Sequence, residues 1–225
     1  KRGPDYQNYV THNFENKTSV MLHSRLSIID KKIISNQPME DGNGILSFNG
    51  EIYNYLEIKR NSNFSKFKTN SDTEVLLKYL SKNRNIPKND LDGMWSYAYF
   101  DKRKKSLTLC RDRFGEKPLY FLKHEGNFYY GSNLSYIFAL SGIKKSVNHE
   151  KITSFISYGF KSLFLNDETF FSKIKAIGSS TALNINKDLK INKKEIWAQK
   201  PIIDIKNISY KLRKEKLKNL LIEIF

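Results

Sequence analysis

Apolar positions in this chain fall in short clusters separated by polar, turn-forming residues, which is the rhythm of many strands interrupted by a few helices. Residues 1–16 read as loop and strand. Ser19 to Asp30, apolar but broken by His23-Ser24-Arg25, predicts a buried strand, and Gln37 to Gly44 a polar, turn-rich stretch. Ile45 to Phe48 reads as a strand, Glu51 to Arg60 as a short helix, and Ser71 to Leu80 as a helix whose apolar face holds Val75, Leu76, Leu77, Tyr79 and Leu80. Trp95 to Phe100 and Leu107 to Cys110 flank a charged turn at Asp101 to Lys105. Pro118 to Leu122 and Asn127 to Tyr130 flank Glu125-Gly126. Both pairs read as hairpins. Leu134 to Leu140 and Lys151 to Tyr158 look helical, and a late hairpin joins Thr181–Ile185 to Leu189–Ile191. Ser209 then caps a basic helix with Leu212, Leu217, Leu220, Leu221 and Ile224 on its apolar face. Hairpins mixed with helices predict an α+β domain, with two sheets needed to bury so many apolar strands.

Composition narrows the functional classes. A formal charge of +16 invites a nucleic-acid reading. Lys far outnumbers Arg, however, and is scattered, which describes a solvated basic surface rather than a base-reading footprint, so no specific nucleic-acid partner is expected. Cys110 is the single cysteine, so no intrachain disulfide forms and a reducing, cytoplasmic setting is expected. Its place in Leu107-Thr108-Leu109-Cys110 suits a buried structural thiol. The four histidines lack metal-ligand spacing, no apolar run is long enough for a bilayer, and no Gly-rich phosphate loop occurs. The chain opens without Met and closes inside a helix, so it reads as cut at both ends.

Candidate chemistry concentrates around Phe48-Asn49-Gly50-Glu51-Ile52-Tyr53-Asn54. Asn49 offers a side-chain amide and Gly50 an unhindered N–H at what reads as a strand end, the donors an oxyanion hole needs. Arg25 can fork onto a carboxylate, and Asp72 can hold an ammonium. Each has a plainer reading. Asn-Gly is a common hairpin turn, and Ser71-Asp72-Thr73-Glu74 is a good capping box with Ser71 as N-cap.

Together the motifs resemble a family. Arg2-Gly3-Pro4-Asp5, His23-Ser24-Arg25-Leu26-Ser27-Ile28-Ile29-Asp30, Gln37-Pro38-Met39, Phe48 to Tyr55, Ser71 to Val75, Leu91-Asp92-Gly93-Met94 and Arg111 to Tyr120 stand in the order found in glutamine-hydrolysing asparagine synthetases. The resemblance is to their N-terminal class II glutamine amidotransferase domain. It implies an N-terminal-nucleophile hydrolase fold, a four-layer αββα sandwich of antiparallel sheets. It implies that a cysteine at the mature N-terminus attacks the glutamine side-chain amide and that ammonia passes to an ATP-dependent domain that amidates aspartate. Carried onto this sequence, Arg25 binds the glutamine α-carboxylate, Asp72 with Glu51 the α-ammonium, and backbone groups of Ile28 and Ile29 line the pocket, while Asn49 and Gly50 form the oxyanion hole. Arg111 to Tyr120 reads as structural or as a domain contact.

The family's Met-Cys-Gly start and its Ser-Gly-Gly-Leu-Asp-Ser loop do not occur in this sequence. The expected layout is therefore a glutaminase domain over residues 1–205, lacking its N-terminal strand and nucleophile, and a linker helix over 206–225 towards a synthetase domain. As written, the chain is expected to bind glutamine weakly and not to hydrolyse it. No cofactor is expected in this domain, and ATP and Mg are implied only for the synthetase domain. L-Glutamine and that domain are the expected partners. A membrane is not, and homodimerisation is left open. Two alternatives stay open as well: a sibling amidotransferase serving another carboxylate, such as a surface sugar, and a catalytically dead glutamine-binding module.

Overall fold

The computed structural model describes residues 3–62, 66–83, 90–197 and 208–224. At its centre lies a six-stranded antiparallel sheet of order β11-β10-β6-β5-β4-β3. Its strands are β3 (Met39–Glu40), β4 (Gly44–Ile52), β5 (Gly93–Asp101), β6 (Ser106–Arg111), β10 (Thr181–Ile185) and β11 (Ile191–Glu195). The period-2 alternation of each strand sorts its side chains between two faces. Leu46, Phe48, Ile52, Trp95, Tyr97, Tyr99 and Cys110 share one core cluster with Leu76, Leu77 and Leu80 of α2 (Asp72–Asn83), and α1 (Tyr55–Asn61) adds Tyr55 and Ile58 at its margin. Ile45, Ala98, Phe100, Leu109, Leu183 and Ile185 form the cluster on the other face.

That second face is covered by two smaller sheets. One is the hairpin β1 (Tyr6–Phe14) and β2 (Lys17–Arg25), which contributes Met21, Val10 and Phe14. The other, of order β8-β7-β9, consists of β7 (Tyr120–His124), β8 (Asn127–Gly131) and the short β9 (Lys175–Ala176). Outside it lies α3 (Leu134–Ser141), whose Ile137 shares a third cluster with Leu122 and Ile174. Helix, sheet, sheet, helix is the layering the resemblance implies. Both edges of the central sheet are blunted, by the two-residue β3 and by the exposed, lysine-bearing β11.

Several expectations need correction. The apolar run from Ser19 is not a buried strand. β2 stops at Arg25, it buries Met21 and Arg25 on one face, and it leaves Val20 and Leu22 exposed on the other. Asn49-Gly50 is neither a turn nor a strand end, because β4 continues through it to the buried Ile52. The following helix therefore begins at Tyr55, not Glu51. The last hairpin turns later than expected, with Leu189 in a left-handed conformation and the return strand starting at Ile191. The expected boundary at 205/206 lies outside the described residues. The expected helix near Lys151 is α4 (His149–Tyr158), and the terminal helix α5 (Tyr210–Ile224) is present, with Leu212, Leu217, Leu220 and Leu221 exposed.

Candidate functional site

The open edge of β4 organises the candidate site. Asn49 pairs with Ser96 and Gly50 with Trp95 of β5. In an antiparallel ladder, N–H groups two residues apart point to the same side. The N–H groups of Phe48, Gly50 and Ile52 therefore all leave β5 and face the edge beyond β3. Two of them are taken. Phe48 N–H donates to Gln37 Oε1 at 2.7 Å, and Ile52 N–H to Asp72 Oδ2 at 3.1 Å. Gly50 N–H, between them, has no acceptor among the described residues. Glycine is required there. At φ +146° a Cβ would lie 2.1 Å from Met94 O and 2.6 Å from Trp95 Cα.

Asn49 and Ser47 project from the opposite face, into the space between the sheets. The Asn49 amide makes no hydrogen bond among the described residues. Above it runs the inward face of β2: Met21, His23 and Arg25. Met21 sits in the cluster that holds Ile45, and His23 Nδ1 meets Ser47 Oγ at 3.0 Å. Continued by two residues on each strand, this progression carries Arg25 towards Asn49. Burial, then the nearby Arg25 charge, pull the His23 pKa down to about 4, so the ring is neutral at pH 7.

Arg25 is 6% exposed. Its guanidinium donates to the carbonyl of Asp30, to Asn36 Oδ1 at 2.6 Å and to Lys32 O at 3.4 Å. Those bonds use Nη1 and one Nη2 hydrogen. Nε–H keeps no partner among the described residues, and the Nε–Nη2 edge is the one that a carboxylate matches side-on. Ile28 and Ile29 lie in the irregular segment between Arg25 and Asp30. Their side chains are exposed and their backbone groups are unpaired among the described residues. Asp30 pins this loop by accepting the N–H of Lys32 at 3.0 Å and of Asn70 at 2.9 Å, bonds that lower its pKa to about 2.

Asp72 opens α2 at 5% exposure. Its two oxygens accept Ile52 N–H and Thr73 N–H, and no cation pairs with it among the described residues. Burial, and after it the charge of Glu51, raise its pKa. A buried carboxylate beside a second carboxylate is a site that a substrate ammonium would neutralise. Ser71 caps the helix as expected, its Oγ accepting Glu74 N–H at 3.2 Å. The reciprocal half of the capping box is not made. Glu74 instead takes the N–H groups of Lys68 and Thr69, which braces the loop before the helix.

Beside Asn49 the row continues through Ser96 to Arg111. Arg111 donates to the carbonyls of Lys117, Ile177 and Gly115, and Asp112 accepts the N–H groups of Trp95, Phe114, Glu116 and Lys117. These bonds commit Arg111 and Asp112 to holding the turn against β5 and the Ile177 segment. Cys110 faces the helix layer, fully buried, and burial pushes its thiol up to about 12. It is inert and on the wrong face. Two contacts carried no sequence signal, although Gln37 and His23 both fall in motifs of the resemblance: the bonds of Gln37 to Phe48 N–H and Thr73, and the His23–Ser47 contact, which joins different layers.

The architecture is that of N-terminal-nucleophile amidotransferases. The fold matches glutamine phosphoribosylpyrophosphate amidotransferase from Bacillus subtilis with a TM-score of 0.56 at 17% identity, over 81% of this chain and 35% of that one. The chain belongs to the glutamine amidotransferase domain family, whose pattern it matches over residues 1–197. Among curated relatives, asparagine synthetase [glutamine-hydrolyzing] 2 of B. subtilis is 35% identical over 192 residues, and asparagine synthetase [glutamine-hydrolyzing] 3 of the same organism 29% identical over 194. Those alignments take in 82% and 84% of this chain but only 25% and 30% of the relatives' lengths. Among the described residues no helix is long and apolar enough to cross a membrane.

Proposed function

We propose that this domain binds L-glutamine and presents its side-chain carboxamide for hydrolysis to glutamate and ammonia. The observation that carries the reading is the unpaired Gly50 N–H, held open between two occupied neighbours on β4, with the cation-free Asp72 alongside. The Nε–Nη2 edge of Arg25 takes the α-carboxylate. Asp72, helped by Glu51, takes the α-ammonium, and the backbone of Ile28 and Ile29 borders the chain between them. A thiolate attacks the carboxamide carbon, and the carbonyl oxygen becomes an oxyanion that the Asn49 amide and Gly50 N–H stabilise. Collapse breaks the C–N bond, and the proton that the attacking cysteine's own α-amine took from its thiol passes to the leaving nitrogen, which departs as ammonia. Water then cleaves the thioester, freeing glutamate and restoring the thiol. Cys110 cannot supply this thiolate, so the reading assigns it to an N-terminal cysteine of a longer protein.

In that longer protein, ammonia is passed to an ATP-dependent domain that amidates aspartate, with α5 leading towards it. ATP and Mg belong to that further domain in this proposal, and no step here runs through them. A cytoplasmic setting belongs to the same proposal. The test is titration calorimetry with L-glutamine. Arg25→Ala and Asp72→Ala each weaken binding by about 100-fold, the loss expected when a buried charge is left without its partner. Unchanged binding in either variant refutes the assignment of that residue.

A further inference from the structure

Gln37 sits where β3 would meet Phe48 if its ladder continued. Met39 pairs with Leu46, and two residues back on β3 and two residues on along β4 bring Gln37 opposite Phe48. The acceptor for Phe48 N–H there is the side-chain oxygen of Gln37, not a main-chain carbonyl. The other end of the same amide, Nε2, donates to Thr73 Oγ1 at 3.4 Å, one residue after Asp72. Gln37 and Thr73 are both buried. One side chain thus bridges the strand that carries Asn49, Gly50 and Glu51 to the helix start that carries Asp72.

A second tie joins the same two elements, the bond from Ile52 N–H to Asp72. Alone, it would act as a pivot about which the end of α2 could turn. The Phe48–Gln37–Thr73 tie meets β4 about 13 Å away, four strand residues from the first. Two ties on either side of Gly50 remove that rotation and fix Asp72 against the open N–H.

We propose that Gln37 is a positioning residue that sets the Asp72 carboxylate at the right span from the Gly50 donor. It would thereby select ligands carrying an α-ammonium and a γ-carboxamide at the separation found in glutamine. The proposal rests on the glutamine reading above and adds to it the group that measures the ligand.

The test compares the full 225-residue chain with its Gln37→Met, Thr73→Val and Gln37→Glu variants. Two ligands are titrated: L-glutamine, and glutaramate, the same skeleton without the α-ammonium. Gln37→Met and Thr73→Val should each weaken L-glutamine about tenfold and leave glutaramate unchanged, so the preference between them falls about tenfold. Gln37→Glu keeps an acceptor for Phe48 N–H and can accept from the Thr73 hydroxyl, so it should restore most of that preference. Equal weakening of both ligands, or unchanged L-glutamine affinity in both cut variants, overturns the proposal. A parent chain that takes no L-glutamine overturns the functional reading and the binding role together. The tie itself is read separately by amide exchange. Phe48 N–H should be protected in the parent chain and in Thr73→Val and exposed in Gln37→Met, and protection surviving in Gln37→Met refutes the tie.

Discussion

At Gly50 the backbone decides what the side chains around it can do. Any Cβ there collides with Met94 O and Trp95 Cα in the middle of the central sheet. Gly50→Ala should therefore cost about 3 kcal/mol or more in urea unfolding, well above an exposed glycine replacement. His23 has its own pH signature. Its folded pKa lies near 4, below the ordinary 6.5, so the unfolded chain binds the proton first. The stability from keeping the ring neutral is full above pH 6.5 and drains away as the pH falls from 6.5 to about 4. The loss is on the order of 3 kcal/mol. Asp30, with its pKa held near 2, adds a second loss between pH 3.8 and 2. Urea midpoints at pH 7 and pH 4.5 should differ in the parent chain and converge in His23→Gln. The residue types at Arg25, Asn49, Gly50 and Asp72 were legible from sequence because each suits one ligand group. The open state of Gly50 N–H was not legible, because it depends on strand parity and on two acceptors distant in sequence.

Elements with strong local signals came out as read: α2 with its Ser71 cap, the β5–β6 and β7–β8 hairpins, and α3. The errors arose where tertiary contacts override local cues. Asn49-Gly50 favours a turn in isolation, yet the pairing of β4 with β5 through Ile52 keeps the chain extended. β2 reads as buried because it is apolar, but only one of its faces meets the central sheet. The Arg111–Lys117 turn is a scaffold tied to its neighbours, with three N–H groups of the turn and that of Trp95 on β5 converging on the Asp112 carboxylate. Asp112→Ala leaves all four without that acceptor and should lower stability by about 3 kcal/mol, measured as a fall in the denaturant midpoint with an unchanged slope.

Across the whole molecule, both faces of the central sheet are packed, and only the second also carries a polar strip. The helix-facing side is filled by α2, whereas the side facing β1–β2 keeps Ser47, Asn49, Ser96 and Arg111 in a polar strip. The four-layer order was legible from the resemblance. The division of the outer layer into two sheets was not, since it follows from pairings between distant strands. α5 has exposed side chains along its described length. A chain ending at residue 207 should melt within about 2 °C of the parent and lose only the helical ellipticity of a 15-residue segment that is marginal by itself. Cys110, finally, makes the protein its own stopwatch. The only thiol in the chain is sealed in the core cluster on the helix side of the sheet and reluctant to ionise, so an alkylating reagent can reach it only while the core is open. The rate of its modification, divided by that of a free thiol, counts how often this core opens, with no label engineered in.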